Sequence, residues 1–247
     1  MSNADIVIRR ADQVEEFEAC VQLQAAVWGF AERDLIPRRM FVVASKIGGL
    51  VLGAWDGDRL AGFALAFPAR RESETYWHSH MVAVAEGYRN LGLGRQLKLH
   101  QREEALEQGI ARIEWTFDPL EIKNGYFNLA VLGATASRYY PNLYGSTTSA
   151  LQAGLPSDRL VAEWHLHSER VSLLAHGVEA PNLPIQAQLE VPAEIQAWKN
   201  AGDPRAAELQ LRNREALQAA FARGLGAVGY LRRREGGVFL LGRHPRP

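Results

Sequence analysis

Residues 89–94, Arg-Asn-Leu-Gly-Leu-Gly, stand where a strand-like run gives way to a helix-like run. Glycines at such a junction let the backbone come close to a ligand and take positive φ. The free N–H groups of a helix's first turn, with the helix dipole, bind an anion such as phosphate. Arg89, Arg95 and Lys98 surround that point with positive charge. The chemistry predicted is a backbone cradle for a pyrophosphate. A Walker A loop would continue Lys-Ser/Thr after its last glycine, and Arg95-Gln96 stands there instead. A Rossmann turn would place a third glycine where this chain has Leu97. Just upstream, His78 and His80 alternate along the strand and so share a face. His165 and His167 repeat that pattern further on.

The elements that must hold these groups follow from periodicity. Residues 5–10 alternate as a strand. Asp12 and Glu15 have capping-box spacing, and Val14, Phe17, Val21, Ala25 and Trp28 then mark a helix. Pro37 opens a second short helix that ends before Gly48-Gly49. Residues 50–67 read as a hairpin across Asp56-Gly57-Asp58, and 77–84 as a further strand. A helix covers about 93–108 and stops at Gly109. A strand over 111–117, a helix near 121–132 ending at Gly133, strand material over 134–145 and a strand at 159–166 complete a βααβββαβαββ order. That is a mixed α/β domain, not a βαβαβ repeat.

Composition limits the function classes. The 247 residues carry 28 Lys+Arg against 28 Asp+Glu, a formal net charge of zero. Nucleic-acid binding by counterion release needs a basic surplus, and so does an anionic membrane surface. No run approaches the roughly 18 apolar residues of a membrane span. The first ten residues lack a basic segment followed by an apolar one. The single cysteine, Cys20, excludes an internal disulfide and a Cys-based zinc site. The expected compartment is the cytoplasm, with neither nucleic acid nor membrane as partner.

The turn fits [Q/R]-x-x-G-x-[G/A], and in this strand–turn–helix setting it resembles motif A of the GNAT superfamily of N-acetyltransferases. MVAVAEGYRN resembles that family's approach to the motif, with Ala85 where proline is usual. The element order over about residues 4–167 is also similar. WTFDPLE, FNLAVLGA, RYYPNLYG and LPSDRLVAEWHL resemble one bacterial subgroup with a C-terminal extension. The resemblance implies a GNAT fold with a mixed central sheet splayed between its fourth and fifth strands, and an acyl-CoA-dependent N-acyltransferase with a direct, ternary-complex mechanism. Acetyl-CoA or another acyl-CoA is the implied co-substrate, with no metal. Pyrophosphate would lie on the amides of Asn90, Leu91, Gly92, Leu93, Gly94 and Arg95, beside Arg89. Pantetheine would run along Val82, Ala83 and Val84, with Asn124 and Asn128 as hydrogen-bonding groups. Register from Gly133 puts Leu129 where the family's usual tyrosine acid stands.

Within that frame, His80 is the expected general base and His78 a substrate-side neighbour, the alternative being strand histidines satisfied locally. Glu86 is also near, without an expected role. Tyr140 is the expected phenol acid, and Tyr139 and Asp118 are expected to line the acceptor site. Packing aromatics and a turn aspartate are the alternatives. A metal held by the two H-x-H pairs is not expected. Cys20, in the first helix, is not a nucleophile.

Residues 168–184 read as an irregular connector. Beyond it come a strand at 185–191, a break at Pro192, a helical stretch, a helix from Asp203-Pro204 to Gly224, and a hairpin across Glu235-Gly236-Gly237. The domain division expected is 1–167 for the acyltransferase and 168–247 for a small C-terminal α/β lobe. That lobe is too small to be secure alone, so it should bury Leu189, Val191, Leu209, Leu217, Phe221, Val238 and Phe239 against the larger domain. Such packing would favour a small-molecule amine as acceptor, for instance an amino acid clamped through Arg138 or Arg159. Homodimerisation is the other role open to the extension.

Overall fold

The computed structural model describes residues 6–145 and 153–243. They form a mixed α/β fold in two compact units that divide between Glu114 and Trp115, inside a strand. Among the described residues no helix is long and apolar enough to cross a membrane.

The first unit runs β1 (Ile6–Arg10), α1 (Val14–Trp28), α2 (Arg38–Lys46), β2 (Leu50–Asp56), β3 (Arg59–Arg71), β4 (Glu74–Val84), α3 (Leu93–Glu107) and the start of β5 (Arg112–Phe117). Strand order is β1-β2-β3-β4-β5. Pairing is antiparallel up to β4 and parallel between β4 and β5. Phe17 and Cys20 of α1 and Phe41 of α2 pack on Phe63, Leu65 and Ala83 to form the core on one face of the sheet. Gln24, fully buried, binds both the N–H (2.8 Å) and the C=O (2.9 Å) of Ile36, which fastens the α1–α2 loop.

Three details differ from expectation. The cap of α1 uses Glu16, whose carboxylate accepts the N–H groups of Asp12 (2.9 Å) and Gln13 (3.2 Å), and not Glu15. The β3–β4 hairpin extends well past its predicted ends, because the polar stretch 68–76 pairs without showing an apolar alternation. Its register passes from Leu65↔Met81 to Ala66↔Ser79, so His80 is an extra residue on β4 and forms a bulge. A bulge re-aims side chains locally.

The second unit begins with the end of β5. It continues through α4 (Ile122–Gly125), a π-helical turn (Tyr126–Val131), β6 (Thr135–Tyr140), β7 (Arg159–His165) and α5 (Glu169–Ala175). It closes with β8 (Ala187–Pro192), α6 (Ile195–Ala201), α7 (Pro204–Ala222), β9 (Leu225–Arg233) and β10 (Gly236–Arg243). Strand order is β5-β7-β6-β9-β10-β8. Helix α5 lies within the stretch expected to be irregular; Ser168 caps it, its Oγ accepting the Val171 N–H at 3.3 Å.

Residues beyond 168 are built into this unit. β9 joins β6 through Ala136↔Ala227. Lys199 of α6 donates to Asp118 (2.9 Å) and Glu121 (3.1 Å), with none of its own side chain exposed. Arg214 of α7 donates two bonds to Asp158, at 2.8 and 3.0 Å. Val191, Leu217 and Phe239 are fully buried.

Candidate functional site

β4 delivers the chain to the turn. Beyond the two rungs Trp77↔Ile113 and His78↔Glu114, β4 has no further register with β5 among the described residues and continues to Val84 paired with β3 only. The sheet therefore splays between its fourth and fifth strands. The Ala85 N–H bonds back to Ala61 O at 2.8 Å. Alternation then turns the N–H and C=O of Val82 and Val84 away from β3, towards the opened side. Val84 O accepts from Arg89 Nε at 3.4 Å.

The turn has the backbone an anion cradle needs. Asn90 sits at φ 64° and Gly92, the N-cap of α3, at φ 80°. Gly92 O accepts from Arg95 N (3.0 Å) and Gln96 N (3.1 Å). The first-turn N–H groups of Leu93 and Gly94 have no carbonyl one turn earlier to bond. A side chain at Gly94 would meet only Val84 Cγ2, at 3.9 Å, so nothing inside the protein requires glycine there. Bare backbone facing open space is what a pyrophosphate would fill, and in this respect the residues fit coenzyme A.

Lys98 does not join that cradle. The spacing of Leu93, Leu97, Lys98, Gln101 and Ala105 puts it on the buried face of α3. Its Nζ donates to Ser79 Oγ (3.2 Å) and Gln101 Oε1 (2.7 Å), and burial holds its pKa well below the usual ammonium range. Arg89 and Arg95 remain as the flanking cations.

His78 and His80 do share a face, with ring centroids 5.8 Å apart, and Phe67 meets His80 edge-on, also at 5.8 Å. Burial, and secondarily His78, lowers the His80 pKa from 6.5 to about 4. His78 is lowered by burial too, against the opposing field of Glu114. Both imidazoles are thus neutral at pH 7 and able to accept a proton. The same shift sets an acid liability. Between pH 6.5 and about 4 the unfolded chain binds a proton at His80 that the folded chain refuses. Stability is therefore full above that window and falls as pH drops through it. Denaturation of the wild type and of His80→Gln across the window should show the smaller acid loss in the variant; equal losses would contradict this.

The other expected residues lie in the second unit. Asp118 is committed internally: Oδ1 accepts the Leu120 N–H at 2.8 Å and Oδ2 pairs with Lys199. Tyr139 is buried, and its hydroxyl donates to Asp158 at 2.5 Å. Burial and that carboxylate push the phenol upward. Tyr140 is exposed. Asn128 is buried and accepts from Trp115 Nε1 at 3.1 Å, while Asn124 is exposed on α4. Leu129 is fully buried. Arg138 is paired with Glu163 at 3.1 Å, and Arg159 donates to Asp158 O (2.8 Å) with its guanidinium over Tyr144. Among the described residues no three His, Cys, Asp or Glu side chains are grouped to hold a metal.

Sequence reasoning missed Glu114. Its signal was a charged residue inside the apolar strand RIEWTF, at a position with only 3% of its side chain exposed.

The parallel β4–β5 pair and the strand–turn–helix junction at Gly92 are arranged as the GNAT resemblance implies. Residues 14–124 match the model of the acetyltransferase (GNAT) family. That match covers less than half of the chain, and the solved structures below share its fold. No curated protein matches the sequence. Among solved structures, it resembles the ribosomal-protein-S18-alanine N-acetyltransferase of Escherichia coli at 16% identity and TM-score 0.53, over 66% of this chain and 95% of that one. FeeM, an N-acyl amino acid synthase from uncultured soil microbes, aligns at 15% identity and TM-score 0.53, over 70% of this chain and 98% of that one. yncA from Salmonella typhimurium, solved with its cofactor acetyl-CoA, aligns at 17% identity and TM-score 0.50, over 67% and 96%.

Proposed function

We propose that this protein transfers an acyl group, acetyl in the first instance, from acyl-CoA directly to the amine of a small molecule. The observation that carries the reading is the 89–95 turn, where Gly92 caps α3 in the left-handed region and a side chain at Gly94 would meet only Val84. Pyrophosphate would rest on the amides of Asn90 to Arg95, and pantetheine beside Val82, Ala83 and Val84. His80, neutral and half-buried, takes a proton from the acceptor ammonium, with His78 on the substrate side. The amine nitrogen then bonds to the acyl carbon, the carbon–sulfur bond breaks, the leaving thiolate takes a proton from a donor, and the nitrogen gives up its second proton, which restores that donor through solvent. Tyr140 is assigned as the donor, since the Tyr139 hydroxyl is held by Asp158. Asn124 and Asn128 are assigned to the pantetheine. With Asp118 committed to Lys199, an acceptor ammonium would have to be met elsewhere. Residues 1–167 form the acyltransferase domain in this reading and 168–247 its extension.

The similarity to an N-acyl amino acid synthase favours one second reading, transfer of a longer acyl group such as succinyl to an amino acid. Thiol release from acetyl-CoA and succinyl-CoA, screened against a panel of amines and amino acids, tests both. Amine-dependent release is expected. Coenzyme A binding with no release by any amine would make the protein a binder instead.

A further inference from the structure

We propose that Glu114 is a positioning residue of this site, acting through His78 to steady the positive charge that His80 acquires with the amine proton. The inference rests on the assignment of His80 as base. Glu114 and His78 are Cα partners on the last rung before the sheet opens. Neighbours on one rung project from the same face, and His78 shares that face with His80. The order along the face is therefore Glu114, His78, His80.

The carboxylate is fixed. Arg71 grips it through Nη1 (2.8 Å) and Nη2 (3.0 Å), and Arg112 Nη1 approaches at 3.3 Å. Both guanidinium groups lie over the Tyr76 ring, at 5.1 and 4.9 Å. Glu74 in turn holds Arg112 at 2.8 Å. An anion so clamped cannot swing into the site to act as base or nucleophile. It can act only by its field, and fields are strong where water is scarce.

The charged and titratable groups around His78 are Glu114 on β5, Lys98 on α3 and His80 on its own strand, with Arg71 and Arg112 behind the carboxylate. Lys98 and His80 oppose a proton here; Glu114 favours one. Without Glu114, protonating His80 would place a cation in apolar surroundings with a neutral imidazole as its neighbour.

Glu114→Gln keeps the shape and removes the charge. Nuclear magnetic resonance titration of the two imidazoles in the full chain, without substrate, should show both midpoints lowered, His78 more than His80. Arg71→Gln, at the half-exposed end of the pair, should raise them. It also keeps the question answerable if Glu114→Gln does not fold. The second readout is kcat/KM against pH with acetyl-CoA and the best amine. A base must be neutral to act, so the acid limb should move to lower pH in Glu114→Gln, and the plateau should fall about tenfold as the base weakens. A merely structural Glu114 would lower the plateau and leave the limb in place. Unmoved imidazole midpoints in both variants would overturn the proposal. Moved midpoints in a wild type that transfers no acyl group would uphold the charge coupling and refute the acyltransferase reading instead.

Discussion

His80→Ala is expected to lower kcat by about 10²–10⁴ and to leave acetyl-CoA affinity unchanged. The expectation follows from where the bulge puts the ring. His80 is the residue β4 carries in excess of β3, so it is re-aimed without displacing the ladder on either side. The strand then continues through Val82 and Val84, whose backbone is what the co-substrate would meet. Removing the imidazole takes away a proton acceptor and leaves that backbone intact. His80 is also a weak base, its pKa lowered by burial to about 4, so it is neutral at pH 7. Activity should therefore hold well below pH 6.5, where an ordinary histidine base would already be protonated. A variant that keeps more than about a tenth of the wild-type kcat would mean that water or another group is the base.

Lys199→Ala is expected to cost about 3–5 kcal/mol of stability, the range for breaking one side of a buried ion pair. Lys199 has none of its side chain exposed and bridges two carboxylates, Asp118 at 9% and Glu121 at 20% exposure. Without it Asp118 is left charged, buried and short of one partner. Urea unfolding should show a lower midpoint with little change in slope. Lys199→Met paired with Asp118→Asn should recover part of the loss, because only Glu121, the more exposed of the two carboxylates, then lacks its cation. A Lys199→Ala protein as stable as the wild type would refute this account. The same contacts bear on shortening the chain. A protein cut after residue 167 would lose Lys199 from Asp118, Arg214 from Asp158 and β9 from β6, so it should not fold. Point substitutions therefore test the extension's role better than truncation does.

What could be read beforehand was local. The turn at 89–94 was legible because glycines, a preceding strand and a following helix lie within one short stretch. The shared face of His78 and His80 followed from the two-residue period of a strand. What escaped was set by distant partners. The Lys98 charge was assigned to the anion site, but the helical period turns it to Ser79 beneath the sheet. Asp118 looked available for an acceptor until α6, 81 residues on, brought Lys199 to it. Tyr139 is committed by Asp158 and Arg214 in the same way. Helix α5 was hidden in a segment that ends in Pro181 and Pro184, with only Ser168 to announce it. The bulge at His80 cannot be seen in one strand's sequence, because it is a mismatch between two.

The central claim is that backbone groups of the 89–95 turn hold the pyrophosphate of coenzyme A. Gly94→Glu isolates it. The added side chain has room in the free protein, and a carboxylate in the first turn of α3 favours the helix dipole, so folding should not suffer. In the complex the same carboxylate would stand where phosphate must come, repelling it and blocking the backbone. Calorimetric titration of both proteins with acetyl-CoA is the direct measurement, with a melting curve of each free protein as the check on folding. The expected result is saturable binding by the wild type and a loss of at least about tenfold in Gly94→Glu at equal melting temperature. Equal dissociation constants for the two proteins, or no binding by the wild type, would contradict it.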